Sequence, residues 1–250
     1  MSQAHAYTNT HDIIAPILAR HSMFENVPAE TVALFANKAK LKPATKSKVL
    51  FLRDDPAEWF YVVRYGWVKL FRETLEGTEA VIDVLPSGHM FGENSVFEND
   101  QYSYSAEVIE ASELIMLPTE LLKQTIADNQ TIALNMLASM ARHHRQQSRE
   151  IEHLNIQNAP QRIGCFLLRL CPQETARSIT LHLPYDKTLI AARLGMKPET
   201  FSRALNKLKQ ETPLTINGPT VEIRDIEKLV NYTCNHCSDS FPCEDLNLKR

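Results

Sequence analysis

Hydrophobic and polar positions change period along the chain. Between residues 49 and 117, runs rich in β-branched and aromatic residues recur: Lys48–Leu52, Trp59–Tyr65, Trp67–Arg72, Glu79–Leu85 and Leu114–Leu117. Each reads as a short strand. Gly66, Gly77, Gly88 and Gly92 punctuate them, four of only seven glycines in the chain, and mark the tight turns of a compact β-roll or barrel. After Pro118 the period becomes helical. Ala133, Leu137, Met140, His144, Gln147, Ile151 and Leu154 follow one another at alternating spacings of 4 and 3. That heptad stripe lets two helices pack along a narrow seam. A single stripe also suits packing on the chain's own β-domain. Its unbroken run, with Arg142, Arg145, Arg149, Glu150 and Glu152 off the stripe, favours a parallel homodimer, with His144 and Gln147 as a polar layer that fixes register.

Asn158-Ala159-Pro160 breaks this helix and opens a second domain. Gln161–Leu170 is predicted as an amphipathic helix with Ile163, Phe166, Leu167 and Leu170 inward, and Ser178–Leu183 alternates as a strand. Asp186 caps a helix that runs to Leu194 and stops at Gly195. Pro198 suits the first turn of the next helix, which ends near Gln210. Leu214–Ile216, Asn217-Gly218 and Thr220–Ile223 then read as strand, tight turn, strand, although Pro219 complicates the pairing just after the turn.

Helix, glycine turn, helix and hairpin form the order of a winged helix-turn-helix. In its second helix Phe201, Leu205 and Leu208 share the inward face, while Glu199, Ser202, Arg203 and Asn206 share the opposite one. A recognition helix presents its N-terminal residues to base edges in the major groove. Arg bonds guanine bidentately, Glu accepts from cytosine N4, and Ser serves either. Thr200 is placed with this set, and Lys197, Lys207, Lys209 and the hairpin backbone would meet phosphates, which position without specifying sequence. A solvated amphipathic helix would show the same two faces; the turn, the hairpin and the basic surround favour DNA.

Composition sharpens this picture at two points. The 250 residues, 44% hydrophobic and 23% charged, fit one to two ordinary globular domains and exclude a disordered chain, a collagen-like repeat and a disulfide miniprotein. The net charge of −3 conceals an asymmetry. Through Ala159 there are 14 Lys/Arg against 20 Asp/Glu, whereas Pro160–Asn231 holds 11 against 7. An acidic half joined to a basic segment points to two jobs on one chain. No uncharged apolar stretch approaches the ~18 residues that span a bilayer. The start, MSQAHAYTNTHDII, lacks the basic and apolar regions of a secretory signal, which leaves the cytoplasm as the default compartment. No pocketed nucleophile or acid/base pair is legible, so an enzyme is not expected.

With these pieces in place, the chain resembles the Crp/Fnr family of transcription regulators over nearly its whole length. YVVRYGWVKLF and GHMFGENSVFE are similar to the family's cyclic-nucleotide-binding-type roll, and PETFSRALNKL to the E-x-x-S-R pattern of the Fnr branch, carried here by Glu199, Ser202 and Arg203. LIAARLGMKPETFSRAL looks most like Dnr-type regulators of nitrogen-oxide respiration. The resemblance implies an α+β chain: a jelly-roll-like β-roll sensor over 1–120, a long dimerisation helix over 121–157, a winged helix-turn-helix over 158–232 and a cysteine-containing tail over 233–250. It also implies a homodimer on palindromic double-stranded DNA with Fnr-like half-sites, with RNA polymerase as a further partner.

Two departures bear on the signal. Cyclic-AMP-binding members carry Arg-Ser in their phosphate cassette, where this chain has Tyr104-Ser105 in QYSYSAEV. A cyclic phosphate without that cation binds poorly. Glu93 and Ser105 remain in the expected effector pocket with Tyr104, although Glu93 also suits a role tying its own loop together. The Fnr branch's N-terminal cysteines are missing, since none of the five cysteines precedes Cys165. Instead Cys234, Cys237 and Cys243 form C-x2-C-x5-C with His236 between the first two. Thiolates so clustered are ligands of Fe–S clusters and of zinc, and the spacing resembles that of Fnr-like regulators with a C-terminal cysteine trio. A Cys234–Cys237 redox switch and a tail without a role stand beside those readings. Cys165 and Cys171 read as ordinary core cysteines. Haem is the alternative sensor, as in Dnr-like regulators, with candidate ligands among His5, His11, His21, His89, His143, His144 and His153.

Overall fold

The computed structural model describes residues 10–171, 178–183 and 187–234, and the chain parts into two compact units between Met140 and Ala141. The first unit begins with α1 (Thr10–Arg20), a 3-10 turn (Ser22–Phe24) and α2 (Ala29–Lys38). The strands are β1 (Lys40–Ala44), β2 (Val49–Phe51), β3 (Trp59–Tyr65), β4 (Val68–Glu73), β5 (Glu79–Leu85), β6 (Met90–Phe91), β7 (Ser105–Val108) and β8 (Ser112–Pro118), with a 3-10 turn at Glu93–Phe97. Two helices follow, α3 (Thr119–Asp128) and α4 (Gln130–Ile156).

The strands form two antiparallel four-stranded sheets, ordered β1-β8-β3-β6 and β2-β7-β4-β5. β3 and β8 pair in register, Val62 opposite Ile115, and are buried on both faces. One face, with Tyr61, Val63 and Leu114, meets the second sheet; the other, with Phe60, Val62, Ile115 and Leu117, packs against Phe35, Leu122, Ile132 and Met136 of the helices. Burial on both sides explains why these strands read as nearly continuous apolar runs.

Three strands escape the hydrophobic pattern for physical reasons. β1 is a sheet edge, where Pro43 and outward lysines are tolerated; β6 has two residues; and β7, Ser-Ala-Glu-Val, has only one β-branched residue. The helical stretch expected from 121 is also divided. Asn129, with φ −124° and ψ 99°, separates α3 from α4, and its side chain accepts from the N–H of Ile132 (3.1 Å) to start the second helix.

The second unit contains the C-terminal half of α4, then α5 (Ala159–Leu170), β9 (Ile179–His182), α6 (Lys187–Arg193), α7 (Pro198–Glu211), β10 (Leu214–Asn217), β11 (Thr220–Ile223) and α8 (Ile226–Thr233). α5 starts two residues earlier than its apolar pattern indicates. Asn158 and Gln161 form a capping box, each side chain accepting the other's backbone N–H (3.1 and 3.0 Å), and Pro160 occupies the first turn, where no N–H is needed. The wing turn also differs from expectation. Asn217 pairs with Thr220, so Gly218-Pro219 forms the two-residue loop. Gly218 takes the positive φ (60°) at its first position and Pro219 the second, which resolves the difficulty of a proline in the hairpin. α8 is an additional helix whose start was encoded: Asp225 accepts from the N–H of Lys228 (3.2 Å).

Candidate nucleic-acid interface and effector pocket

α6 and α7 are joined by a turn that the sequence sets locally. Gly195 has φ +62°, and none of the described residues lies within 4 Å of where its Cβ would be. Its role is therefore conformational rather than spatial. The N–H of Met196 donates to the Ala191 carbonyl (2.8 Å) and its side chain enters the core. Asp186, expected to cap α6, lies outside the described residues.

α7 then presents two faces. Phe201, Ala204, Leu205 and Leu208 are buried with Ile163, Leu167, Val221 and Ile223. Lys197 at the N-cap and Glu199, Thr200, Ser202, Arg203, Asn206, Lys207 and Lys209 are exposed. Arg203 Nε donates weakly to the Glu199 carbonyl (3.4 Å), so its guanidinium stays on the outer surface. The wing adds an exposed cation, Arg224, that contacts Glu222 (3.4 Å). The exposed face thus joins acceptors, hydroxyls and cations on one rigid helix, a set that suits base edges and phosphates.

In the roll, Glu93 and Tyr104 are brought to the same loop and Ser105 is turned elsewhere. The Tyr104 hydroxyl accepts from the N–H of Gly92 (2.9 Å), and Ser105 Oγ accepts from the N–H of Arg53 (3.0 Å). Glu93 Oε2 is shielded and has no hydrogen-bond partner among the described residues, so the carboxylate does not tie its loop together beyond its own backbone N–H. Burial pushes the Glu93 carboxyl above its usual range, against that N–H. Burial first, and the Glu93 charge second, raise the Tyr104 phenol. Beside them the space between the sheets is filled by rings. Phe51 stacks on Tyr102 (3.5 Å, 10°) and Tyr61 on Phe91 (5.1 Å, 12°), with Tyr104 6.0 Å from Phe51. Tyr104 thus presents a neutral hydroxyl already engaged with the backbone. Arg72, which sequence spacing did not single out, is exposed and donates through Nε to the Ser103 carbonyl (2.9 Å).

Cys165 is buried, Cys171 partly so, and Cys234 packs into the hydrophobic core at the end of α8. Cys237, Cys243 and His236 lie outside the described residues, as does His5. Among the described residues no cluster of three His, Cys, Asp or Glu side chains is arranged to hold a metal. The candidate haem ligands are scattered. His11 contacts Asp12 (3.5 Å), the His21 ring accepts from the N–H of Met23 (3.2 Å), and His143 contacts Gln147 (3.2 Å). His89 is half-buried and His144 exposed. His153 is buried, with Nδ1 4.0 Å from Cys165 Sγ. Glu150, which the heptad pattern places merely off the stripe, is half-buried between Arg169 and Arg193. No spacing signal marked that contact, because its partners come from two later helices.

A family model of the cyclic nucleotide-binding domain matches residues 41–129, and one of the Crp-like helix-turn-helix domain matches residues 161–232. The "Cyclic AMP receptor protein" of Thermus thermophilus is 30% identical over 203 residues, 81% of this chain and 92% of that protein. The "Anaerobic regulatory protein" of Pasteurella multocida is 26% identical over 195 residues, 77% and 71% of the two chains. A crystal structure from Ruegeria pomeroyi is 34% identical and superimposes with a TM-score of 0.69, covering 89% of this chain and 98% of its own. No helix among the described residues is long and apolar enough to cross a membrane.

Proposed function

Because the chain belongs to the Crp/Fnr family of transcription regulators, we propose that it acts as a homodimer on palindromic DNA and answers to oxygen, nitric oxide or redox state rather than to cyclic AMP. The chain is a regulator, not an enzyme, and its helix-turn-helix binds DNA. The observation that carries the finer reading is the cassette. Tyr104 stands where a cyclic phosphate needs a cation, its hydroxyl is engaged by the N–H of Gly92, and the space behind it is filled by Phe51, Tyr61, Phe91 and Tyr102. A phosphate transferred there would lose its hydration without a charged partner.

Dimerisation is supported by α4, where Leu137, Met140, Ile151 and Leu154 are between 42% and 63% exposed along one heptad stripe. Covering them with a second copy of α4 removes that apolar surface from water. Two-fold symmetry would then place the two α7 helices on half-sites about one turn of DNA apart. Glu199, Ser202, Arg203 and Asn206 would face the base edges of an Fnr-like half-site, and Lys197, Lys207, Lys209 and the hairpin backbone would meet phosphates. RNA polymerase is the further partner that regulation of transcription requires, and the cytoplasm the compartment. For the signal itself, Cys234, Cys237 and Cys243 would supply thiolates to an Fe–S cluster, with zinc and haem as the other candidates. Cys234 packs in the core, so ligation there would require the last turn of α8 to rotate it outward.

A second reading is a regulator that answers to a cyclic nucleotide or another small molecule, with a structural cysteine tail. It is favoured by the retained, unpartnered Glu93 Oε2. The deciding experiment is anaerobic purification followed by a UV–visible spectrum and titration with cyclic AMP, with fluorescence-anisotropy binding to a TTGAT-type palindrome as readout. The proposal expects a chromophore or thiol-dependent change in DNA affinity and no response to cyclic AMP. Tightened DNA binding on cyclic AMP addition would replace it with the second reading.

A further inference from the structure

Glu150, near the C-terminal end of α4, receives three hydrogen bonds on one oxygen, the longest from Gln146 Nε2 on its own helix (3.5 Å). Arg169 Nη1 from α5 and Arg193 Nη2 from α6 each donate to Oε1 at 2.7 Å. The three side chains are only 14–26% exposed. Around them the corner from α4 into α5 is filled: His153 and Gln157 are buried, and Asn158 is locked in its capping box with Gln161. Arg162 adds a contact from α5 to the Leu194 carbonyl at the end of α6 (3.4 Å). The long helix and the scaffold helix of the helix-turn-helix are therefore bonded to each other through a shared buried charge, besides being linked through the chain.

A buried ion pair is directional. Removing one partner leaves uncompensated charge in a poorly solvated place, and each guanidinium reaches the shared Oε1 through a single N–H that must point at that oxygen. Glu150 Oε1 is thus shared by donors from two different helices, which ties α6, and through the Gly195 turn α7, to the axis of α4. We propose that Glu150 is a positioning residue for DNA recognition: it makes the Gln157–Pro160 corner a rigid bracket, and so sets the separation of the two recognition helices in the dimer. The inference rests on the reading of the chain as a dimeric DNA-binding regulator.

The test uses the full-length protein with Glu150→Gln, which keeps the shape and removes the charge, and Glu152→Gln, an exposed neighbour on the same helix, as control. Hydrogen exchange should be slow at residues 151–157 and 190–194 in the parent and the control. It should be faster by roughly tenfold or more in Glu150→Gln, with β-roll amides unchanged. In parallel, binding is measured to a single half-site and to palindromes whose spacer is lengthened by one or two base pairs. Glu150→Gln should keep its half-site affinity and lose about tenfold of the parent's discrimination between spacers. Parent-like exchange and spacer discrimination in Glu150→Gln would overturn the proposal. Should that variant fail to fold by circular dichroism, Arg193→Lys, which keeps the charge but loses the Nη2–H that reaches Glu150, carries the same two measurements. If the parent binds no palindrome, the dimeric DNA-binding reading fails while hydrogen exchange still decides the bracket.

Discussion

Gly164 of α5 faces Thr233 of α8 so closely that a Cβ at position 164 would fall 2.2 Å from Thr233 Oγ1. Thr233 is fully buried, so an added methyl must turn its hydroxyl or part the two helices. Gly164→Ala is expected to destabilise the second unit by roughly 1–3 kcal/mol. Thermal unfolding followed by calorimetry checks this, and an unchanged transition would show that the helices yield freely.

In the proposed DNA complex, the exposed face of α7 divides into residues that would specify and residues that would position. Arg203→Ala should cost ~1–3 kcal/mol on a TTGAT-type palindrome and relax base preference at one position. Lys207→Ala should weaken all sequences alike and reduce the salt slope of log K by about 1. Anisotropy titrations at several salt concentrations separate the two, and equal behaviour of the variants would refute the division.

Glu93 predicts a pH dependence of opposite sign to that of an ion-paired carboxylate. Its folded-state pKa is raised by burial. The native protein is thus penalised as pH rises above the unfolded value of 4.5 toward the folded one. Glu93→Gln should therefore be more stable than the parent at neutral pH and lose that advantage as pH falls through the ordinary carboxylate range. Urea unfolding at pH 4 and 7 measures this.

Glu150 has the reverse sign. Burial alone would raise its carboxyl, but Arg193 and then Arg169 hold it down at about 2. Its stabilisation is present above the ordinary value of 4.5 and is lost as pH falls toward 2. The parent should lose up to roughly 3 kcal/mol more than Glu150→Gln across that window, read from acid titrations of both proteins.

The α4 stripe predicts an assembly defect. Ile151→Asp places a charge in the proposed seam and should convert the dimer to monomers in sedimentation at micromolar concentration. Palindrome binding should fall by ~100-fold or more while half-site binding persists. A variant that remains dimeric would place the interface elsewhere.

How much of this was legible depended on where each signal was stored. The faces of α7 could be read because Phe201, Leu205 and Leu208 follow one helix's period, and the Gly195 turn because one residue must take a positive φ. β1 and β6 could not, since an edge strand with Pro43 and a two-residue strand owe their pairing to neighbours. α5 was placed two residues late because its capping box is polar and adds nothing to an apolar stripe. The bonds of Glu150 are less accessible still. They join residues 19 and 43 positions apart, and no local period contains them. In the roll, QYSYSAEV showed that a cation was missing, but not that Phe51 and Tyr102 would stack beside Tyr104.

As a dimer seam, the exposed stripe on α4 would also tie DNA occupancy to the amount of protein in the cell. In the proposed dimer its four large apolar side chains are covered when two chains meet, so pairing obeys mass action, and below its dissociation constant the paired fraction falls with concentration. Binding at a two-half-site operator then rises more steeply than linearly with chain number. A modest change in synthesis or degradation near that threshold would switch an operator even at constant signal.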